Sequence, residues 1–321
     1  MEKFISCDWG SSALRLRVVD AAAGTVLTES ATDKGIITIS DLWKQKGKNE
    51  NERIAFYQSF LTELIIFLEK QLNISLENCP VIISGMASSN IGMKELPYKK
   101  APFTANENDL IVYRIVASEN FRHRTILISG VRTDEDVMRG EETQLIGCLK
   151  TGDKADDFFI FPGTHSKHVE VENGVVKDFK TYMTGEFFEL LSQKSILLNS
   201  VEETAGKLSA DNVKSFENGV VDGTHLNILR AAFLVRTNQL FDKLTKQDNY
   251  FYLSGLMIGA EIKDLGTVKK QITICGDEKL LQLYKIALSE IGIVNAEYIM
   301  AGNAVVAGHC KIYKLYGQEG A

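Results

Sequence analysis

The chain has 321 residues, 45% of them hydrophobic and 24% charged, with a net charge of -6. That length exceeds the roughly 250 to 300 residues at which a single core stops growing, so two domains are expected, and the composition is that of a folded globular protein. An acidic balance with no compensating basic run argues against nucleic acid as a partner, and no stretch of ~18 apolar residues offers a membrane span. The amino terminus, MEKFISCDWG, lacks the apolar core of a signal peptide, so a cytoplasmic location is expected. Five cysteines, Cys7, Cys79, Cys148, Cys275 and Cys310, show no C-x-x-C spacing and sit in or beside apolar runs, which reads as core and not as metal ligands or disulfides.

Phe4 to Asp20 reads as a strand, a tight polar turn and a second strand: an apolar run ends at Asp8, Gly10, Ser11 and Ser12 follow, and Leu14 to Val18 alternate apolar and basic. Small residues in such a turn let backbone N-H groups face an anion. Thr25 to Ser30 can return as a third strand, residues 31 to 50 look like a polar surface excursion, and Glu52 to Leu72 carries apolar residues at helical spacing. Pro80 to Ser84 reads as a buried strand opening a long loop, a usual place for a site. Asn108 to Val116 fits helix or strand, Arg124 to Ser129 is a strand, and Asp134 to Lys150 carries a helix.

The second half repeats this order. Gly163 and Thr164 overlay on Gly10 and Ser11, and strands over 158 to 161, 167 to 172 and 175 to 182 form a second meander with an Asn173-Gly174 hairpin turn. A helix is expected from Thr184 as N-cap to Leu198, an insertion over 199 to 221, a helix over 223 to 244 and a strand over 250 to 254. A short helix over 260 to 264, a strand over 271 to 275, and helices over 278 to 291 and 302 to 316 complete the chain. This duplicated pattern is α/β with mixed sheets. It matches the ribonuclease H-like fold doubled in the actin, hexokinase and heat-shock chaperone superfamily, with an interdomain cleft. Residues 1 to 150 would form an acceptor-side domain, 151 to 300 a nucleotide-side domain, and 301 to 321 a helix returning to the first.

The segments DVMRGEETQLIG, FPGTHSKHVEV and YMTGEFFELL, in that order, together with DWGSSALRLRVVD and ISGMASSNIGMKELPY, resemble the 2-dehydro-3-deoxygalactonokinase family over most of the chain. The resemblance implies ATP-dependent phosphorylation of the terminal hydroxyl of 2-dehydro-3-deoxy-D-galactonate, a step of galactonate catabolism, with magnesium as a cofactor. It implies that Asp8 holds hydrated magnesium, that Gly10, Ser11 and Ser12 form one phosphate loop, and that Gly163, Thr164, His165, Ser166 and Lys167 form a second. Many members of the superfamily carry an acid just ahead of that second loop, whereas Phe161 and Pro162 stand there in this chain, so Lys167 or backbone N-H groups are expected to balance phosphate charge.

Transfer to an alcohol needs a carboxylate near the acceptor hydroxyl, for which Glu141 and Glu142, about 100° apart on a helix, rank ahead of Asp136. The sugar acid's oxygens need donors, for which Ser88, Ser89, Asn90, Arg15, Arg132 and Arg139 are candidates. Gly255, Gly276 and Asp277, read as strand ends before helices, are the nucleotide-side candidates. Ala301, Ala304, Ala307 and Gly308 suit close packing of the last helix at a hinge. The alternatives are a kinase for another keto-deoxy sugar acid, a polyphosphate or nucleotide phosphohydrolase, and a nucleotide-binding protein without turnover; a homo-oligomer is left open.

Overall fold

The computed structural model describes residues 2–47, 49–104, 109–149, 156–203 and 208–317. The expected boundary at 150–151 lies outside them, as do Lys48, 204–207 and 318–321 of the segments singled out above. Contacts divide the chain into two units. Among the described residues, the first takes 2–149, 171–178 and 301–317, and the second takes 156–170 and 179–300.

The first unit is built on β1 (Lys3–Trp9), β2 (Leu14–Asp20), β3 (Val26–Thr32), α1 (Ile36–Gln45), α2 (Arg53–Leu72) and β4 (Val81–Gly85). Short strands follow at β5 (Lys99–Lys100), β6 (Phe103–Thr104), β7 (Val112–Ile115), β8 (Thr125–Ile128), β9 (Val131–Arg132) and β10 (Val137–Met138), and then α3 (Glu141–Cys148). The main sheet has the order β3-β2-β1-β4-β8-β7, antiparallel through the meander and parallel from β1 to β4 to β8. Alternation explains its two faces: Ile5, Cys7 and Trp9 point to one side, where Leu14, Leu16, Ile36, Ile39, Trp43, Tyr57, Leu61 and Ile65 complete a buried core. Residues 31 to 50 are therefore no mere surface excursion, because Ile36, Ile39 and Trp43 give α1 an apolar stripe that its lysines conceal. Of the segment 108 to 116, whose first residue lies outside the described residues, Val112–Ile115 is strand β7, and Val137–Met138 is a strand, so the helix expected from Asp134 begins only at Glu141.

The second unit begins with β11 (Asp157–Phe161), β12 (Ser166–Glu172), β13 (Val175–Tyr182) and α4 (Thr184–Lys194). It continues with α5 (Ala210–His225), α6 (Ile228–Leu240), α7 (Lys246–Ile262), β14 (Gln271–Gly276), α8 (Glu278–Glu290) and β15 (Glu297–Met300). Its strands run β13-β12-β11-β14-β15, with β11, β14 and β15 parallel, the same order as β3-β2-β1-β4-β8. The hairpin turn at Asn173 and Gly174 has φ of 51° and 76°, as the sequence predicts. At the hairpin tip, which groups with the first unit, Val175 and Val176 pair with Thr104 and Phe103.

Two expectations fail in this unit, for one reason. Residues 250 to 254 are not a strand and 260 to 264 are not a separate helix: α7 crosses α5, which takes up residues 210 to 221, through paired glycines. A Cβ on Gly255 would lie 2.1 Å from the Phe216 carbonyl oxygen, and one on Gly219 would lie 2.2 Å from that of Tyr252. Gly255 therefore ends no strand. It lets two helix backbones touch, and α7, buried on nearly every side, shows the short apolar run of a core strand instead of an amphipathic stripe. The same device recurs in the first unit, where α9 (Ala301–Ile312) packs on α3 with Gly147 against Ala304 and Gly308 against Thr143. No helix among the described residues is long and apolar enough to cross a membrane.

Candidate active site

In the first unit, β1 carries Asp8 to its carboxyl end, paired in register with Arg15 on β2 and Ser84 on β4. Its carboxylate is half-buried, 3.7 Å from the Arg15 guanidinium. Burial pushes the Asp8 carboxyl up, opposed by Arg15 and Arg17. The following turn is fixed from behind: Gly10 N-H donates to Ala13 O at 2.9 Å, and the first N-H groups of α1, on Ile36 and Ile37, donate to the carbonyls of Gly10 and Ser11 at 3.0 and 3.2 Å. Ser11 and Ser12 are exposed, and among the described residues no group accepts from their backbone N-H groups, as an anion-binding turn requires.

The start of α3 comes to the same edge of the sheet. Gly140, at φ +113°, would place a Cβ 3.4 Å from the Cα of Gly85, which pairs with Trp9 one residue beyond Asp8. The adjacent glutamates then part. Glu142 is fully buried and accepts from Gly140 N-H at 2.6 Å and from the Thr143 hydroxyl at 3.2 Å, and burial, with the neighbouring Glu141, pushes its carboxyl up to about 8. Glu141 stays half-buried, accepting from Arg139 N-H at 3.1 Å. Asp136 does not start this helix. It lies in the turn before β10, where its carboxylate accepts from Val137 N-H and its own N-H donates to Thr133.

Arg139 donates to the carbonyl and hydroxyl of Ser88 at 2.7 and 2.5 Å and stacks over Tyr98, its guanidinium 4.3 Å from the ring centroid. Ser88 and Ser89 are buried. Asn90 is exposed, and its carbonyl accepts from Arg53. Arg132 is exposed on the small sheet β10-β9-β5, paired with Val137. Asp8, Arg15, Ser84, Gly85, Glu141 and Arg139 thus occupy one edge.

In the second unit, the loop from Gly163 to Lys167 occupies the place on β11 and β12 that the Gly10 turn has on β1 and β2. Gly185 abuts it so closely that a Cβ there would lie 2.7 Å from Gly163 O, and Glu186 N-H donates to Thr164 O at 3.0 Å. The Glu186 carboxylate also pairs with His165 Nε2 at 2.5 Å. Thr164 and His165 are exposed, whereas Lys167 is only 5% exposed and donates to His165 O at 2.9 Å. Gly276 ends β14 beside Pro162, and Asp277 caps α8 by accepting from Leu280 N-H at 2.9 Å. Thr184 is not the cap of α4; its hydroxyl instead donates to the buried carboxylate of Glu261.

Beside this loop opens a largely apolar cavity of about 180 Å³, walled by Gly163, Gly185, Phe188, Tyr250, Ser254 and Leu280, among others. Of its helical residues, Thr184, Gly185 and Phe188 fall within YMTGEFFELL, whereas Tyr250 and Ser254 of α7 are not among the candidates above; their signal in the sequence is an apolar run, which serves core and cavity alike.

Comparison with known proteins fixes the family. The family model described as 2-keto-3-deoxy-galactonokinase matches residues 8–312. The chain belongs to that family. It is 30% identical over 318 residues to a protein of Rhizobium meliloti (strain 1021) named a probable 2-dehydro-3-deoxygalactonokinase, covering 95% of this chain and 94% of that one. It is 28% identical over 305 residues to the 2-dehydro-3-deoxygalactonokinase of Escherichia coli (strain K12), covering 90% of each. A crystal structure of a candidate 2-dehydro-3-deoxygalactonokinase from Sinorhizobium meliloti superposes with a TM-score of 0.79 at 26% identity, over 99% of this chain and 98% of that one. The fold is that of the actin-like ATPases and sugar kinases, and the family is one of sugar-acid kinases.

Proposed function

We propose that the protein transfers the terminal phosphoryl group of ATP to the terminal hydroxyl of 2-dehydro-3-deoxy-D-galactonate. The observation that carries this reading is the pairing of two different turns on equivalent strand edges. One has a carboxylate, Asp8, before a Gly-Ser-Ser turn; the other has no acid but a buried lysine, Lys167, and lies against an apolar cavity. Phosphoryl transfer is largely positioning and charge stabilisation, so this asymmetry divides the work: Asp8 on the metal side, the second loop on the phosphates.

The donor set around Asp8 fits magnesium. One carboxylate lies in register with the buried, otherwise unpartnered hydroxyl of Ser84. That is the chemistry of an ion that keeps most of its waters. When bound, magnesium would offset charge on the phosphates. Glu141, the half-buried member of its pair, is the base that takes the proton of the acceptor hydroxyl, while Glu142 holds the first turn of α3 from within. Arg139, oriented by Ser88 and Tyr98, receives the carboxylate of the sugar acid. Purine stacks against Phe188 and Tyr250 in the cavity, beside Gly276 and Asp277.

A coupled assay of ADP release with 2-dehydro-3-deoxy-D-galactonate, its C4 epimer and no acceptor tests the reading. Turnover with the galactonate derivative well above the other two is expected. Equal turnover with the epimer would broaden the acceptor, and phosphate release without an acceptor would mark a phosphohydrolase.

A further inference from the structure

Glu261 lies in the segment YLSGLMIGAEI, and among the described residues its carboxylate accepts from three side chains of the second unit. It stands on α7 with its side chain 1% exposed. One oxygen accepts from His168 Nε2 at 2.8 Å, on the strand that leaves the phosphate loop. The other accepts from the Thr184 hydroxyl at the start of α4 and from the Tyr284 hydroxyl of α8 at 2.8 Å. Because Tyr284 spends its proton on Glu261, its oxygen is left to accept from Ser166 Oγ at 3.3 Å, and Ser166 Oγ in turn accepts from Gly163 N-H at 3.3 Å. Every proton in this chain, from the loop backbone inward, points toward one carboxylate. Such aligned bonds reinforce one another, and a buried carboxylate with three donors is the anchor that fixes their sense.

The elements so tied are β12, α4, α7 and α8, and Thr184, Gly163 and Tyr284 also wall the apolar cavity. Glu261 does not line it. We propose that Glu261 is a positioning residue for the phosphoryl donor: it holds the Gly163–Ser166 loop and the start of α4 in the arrangement that receives a purine nucleoside triphosphate. This rests on the reading of the cavity as the nucleotide site.

The test is magnesium-AMP-PNP titration by calorimetry, with steady-state kinetics, on the full chain. Glu261→Leu removes both acceptor oxygens, and with them all three hydrogen bonds, and is expected to weaken nucleotide binding about ten- to hundredfold, with KM for ATP rising in step and KM for the sugar acid unmoved. Glu261→Gln should rescue, within about threefold, since its oxygen still accepts from Thr184 and Tyr284 while its amide meets His168 in the other tautomer. Thr184→Val, which deletes one donor without changing shape, should weaken binding by a smaller factor and serves if the leucine variant does not fold. Wild-type nucleotide affinity in a folded Glu261→Leu, or in Thr184→Val should the leucine variant not fold, overturns the proposal, as does equal loss of affinity for both substrates. Ser254→Trp, which fills the cavity, separates the two claims. If it binds nucleotide normally, the cavity reading itself fails; if it alone loses affinity, only the role of Glu261 falls.

Discussion

Glu142 gives a stability signature that can be calculated before it is measured. Its carboxyl is fully buried and pushed up to about 8 from the ordinary 4.5, first by burial and then by Glu141. An acid whose folded pKa is raised holds a proton that the unfolded chain has released, so stability is greatest below pH 4.5 and falls as pH rises toward 8. Between pH 5.5 and 8.0 the loss attributable to this one group integrates to about 3 kcal/mol at ~1.4 kcal/mol per pH unit. Glu142→Gln keeps an oxygen for Gly140 N-H and cannot ionise. Urea unfolding of both proteins at the two pH values should show the wild type losing about 3 kcal/mol more than the variant. Asp8, raised in the same direction, is common to both and cancels. Parallel pH dependences would mean that Glu142 is charged in the folded protein, and the division of labour between Glu142 and Glu141 would fail with it.

Arg139→Ala should raise KM for the sugar acid about tenfold or more and leave KM for ATP alone; a change in the ATP value only would remove Arg139 from the acceptor site. Lys167→Met, which keeps the buried stem and loses the cation, should lower kcat/KM for ATP at least about tenfold with a normal melting temperature, and unchanged kinetics would leave the loop to backbone N-H groups alone. Gly147→Val should destabilise by roughly 3 kcal/mol or more in thermal unfolding, because even a Cβ there would lie 1.9 Å from the carbonyl oxygen of Ala304 on α9. A melting temperature like the wild type's would show that α3 and α9 can separate at little cost.

The meanders were legible because Leu14 to Val18 alternates apolar and basic residues, although Arg17 is itself buried and only Arg15 of β2 is exposed, and because Asn173-Gly174 can hardly be anything but a tight turn. The two turns were legible as turns for a related reason: glycine and small hydroxyl residues between strands favour tight turns. What escaped was tertiary in origin. Gly255 resembles a strand end until α5 is laid across it, and YFYLS looks like a core strand because α7 is buried nearly all round. The order of burial of Glu141 and Glu142 depends on which side of α3 meets the core, set by its crossing with α9 more than 150 residues later in the chain. Glu261 and the cavity could not be found by pattern at all, since their partners come from β12, α4 and α8, at separations of 93, 77 and 23 residues.

The role proposed for Asp8, directing acceptor-dependent phosphoryl transfer from ATP, is tested by following ADP release and phosphorylated sugar acid together for the wild type and Asp8→Asn, with melting temperatures alongside. The wild type should give one ADP per phosphorylated product, and Asp8→Asn should lose roughly a thousandfold in kcat at a melting temperature no lower, since the substitution removes a partly buried charge. Near-normal turnover by a folded Asp8→Asn, or ADP formed without phosphorylated acid, would contradict it.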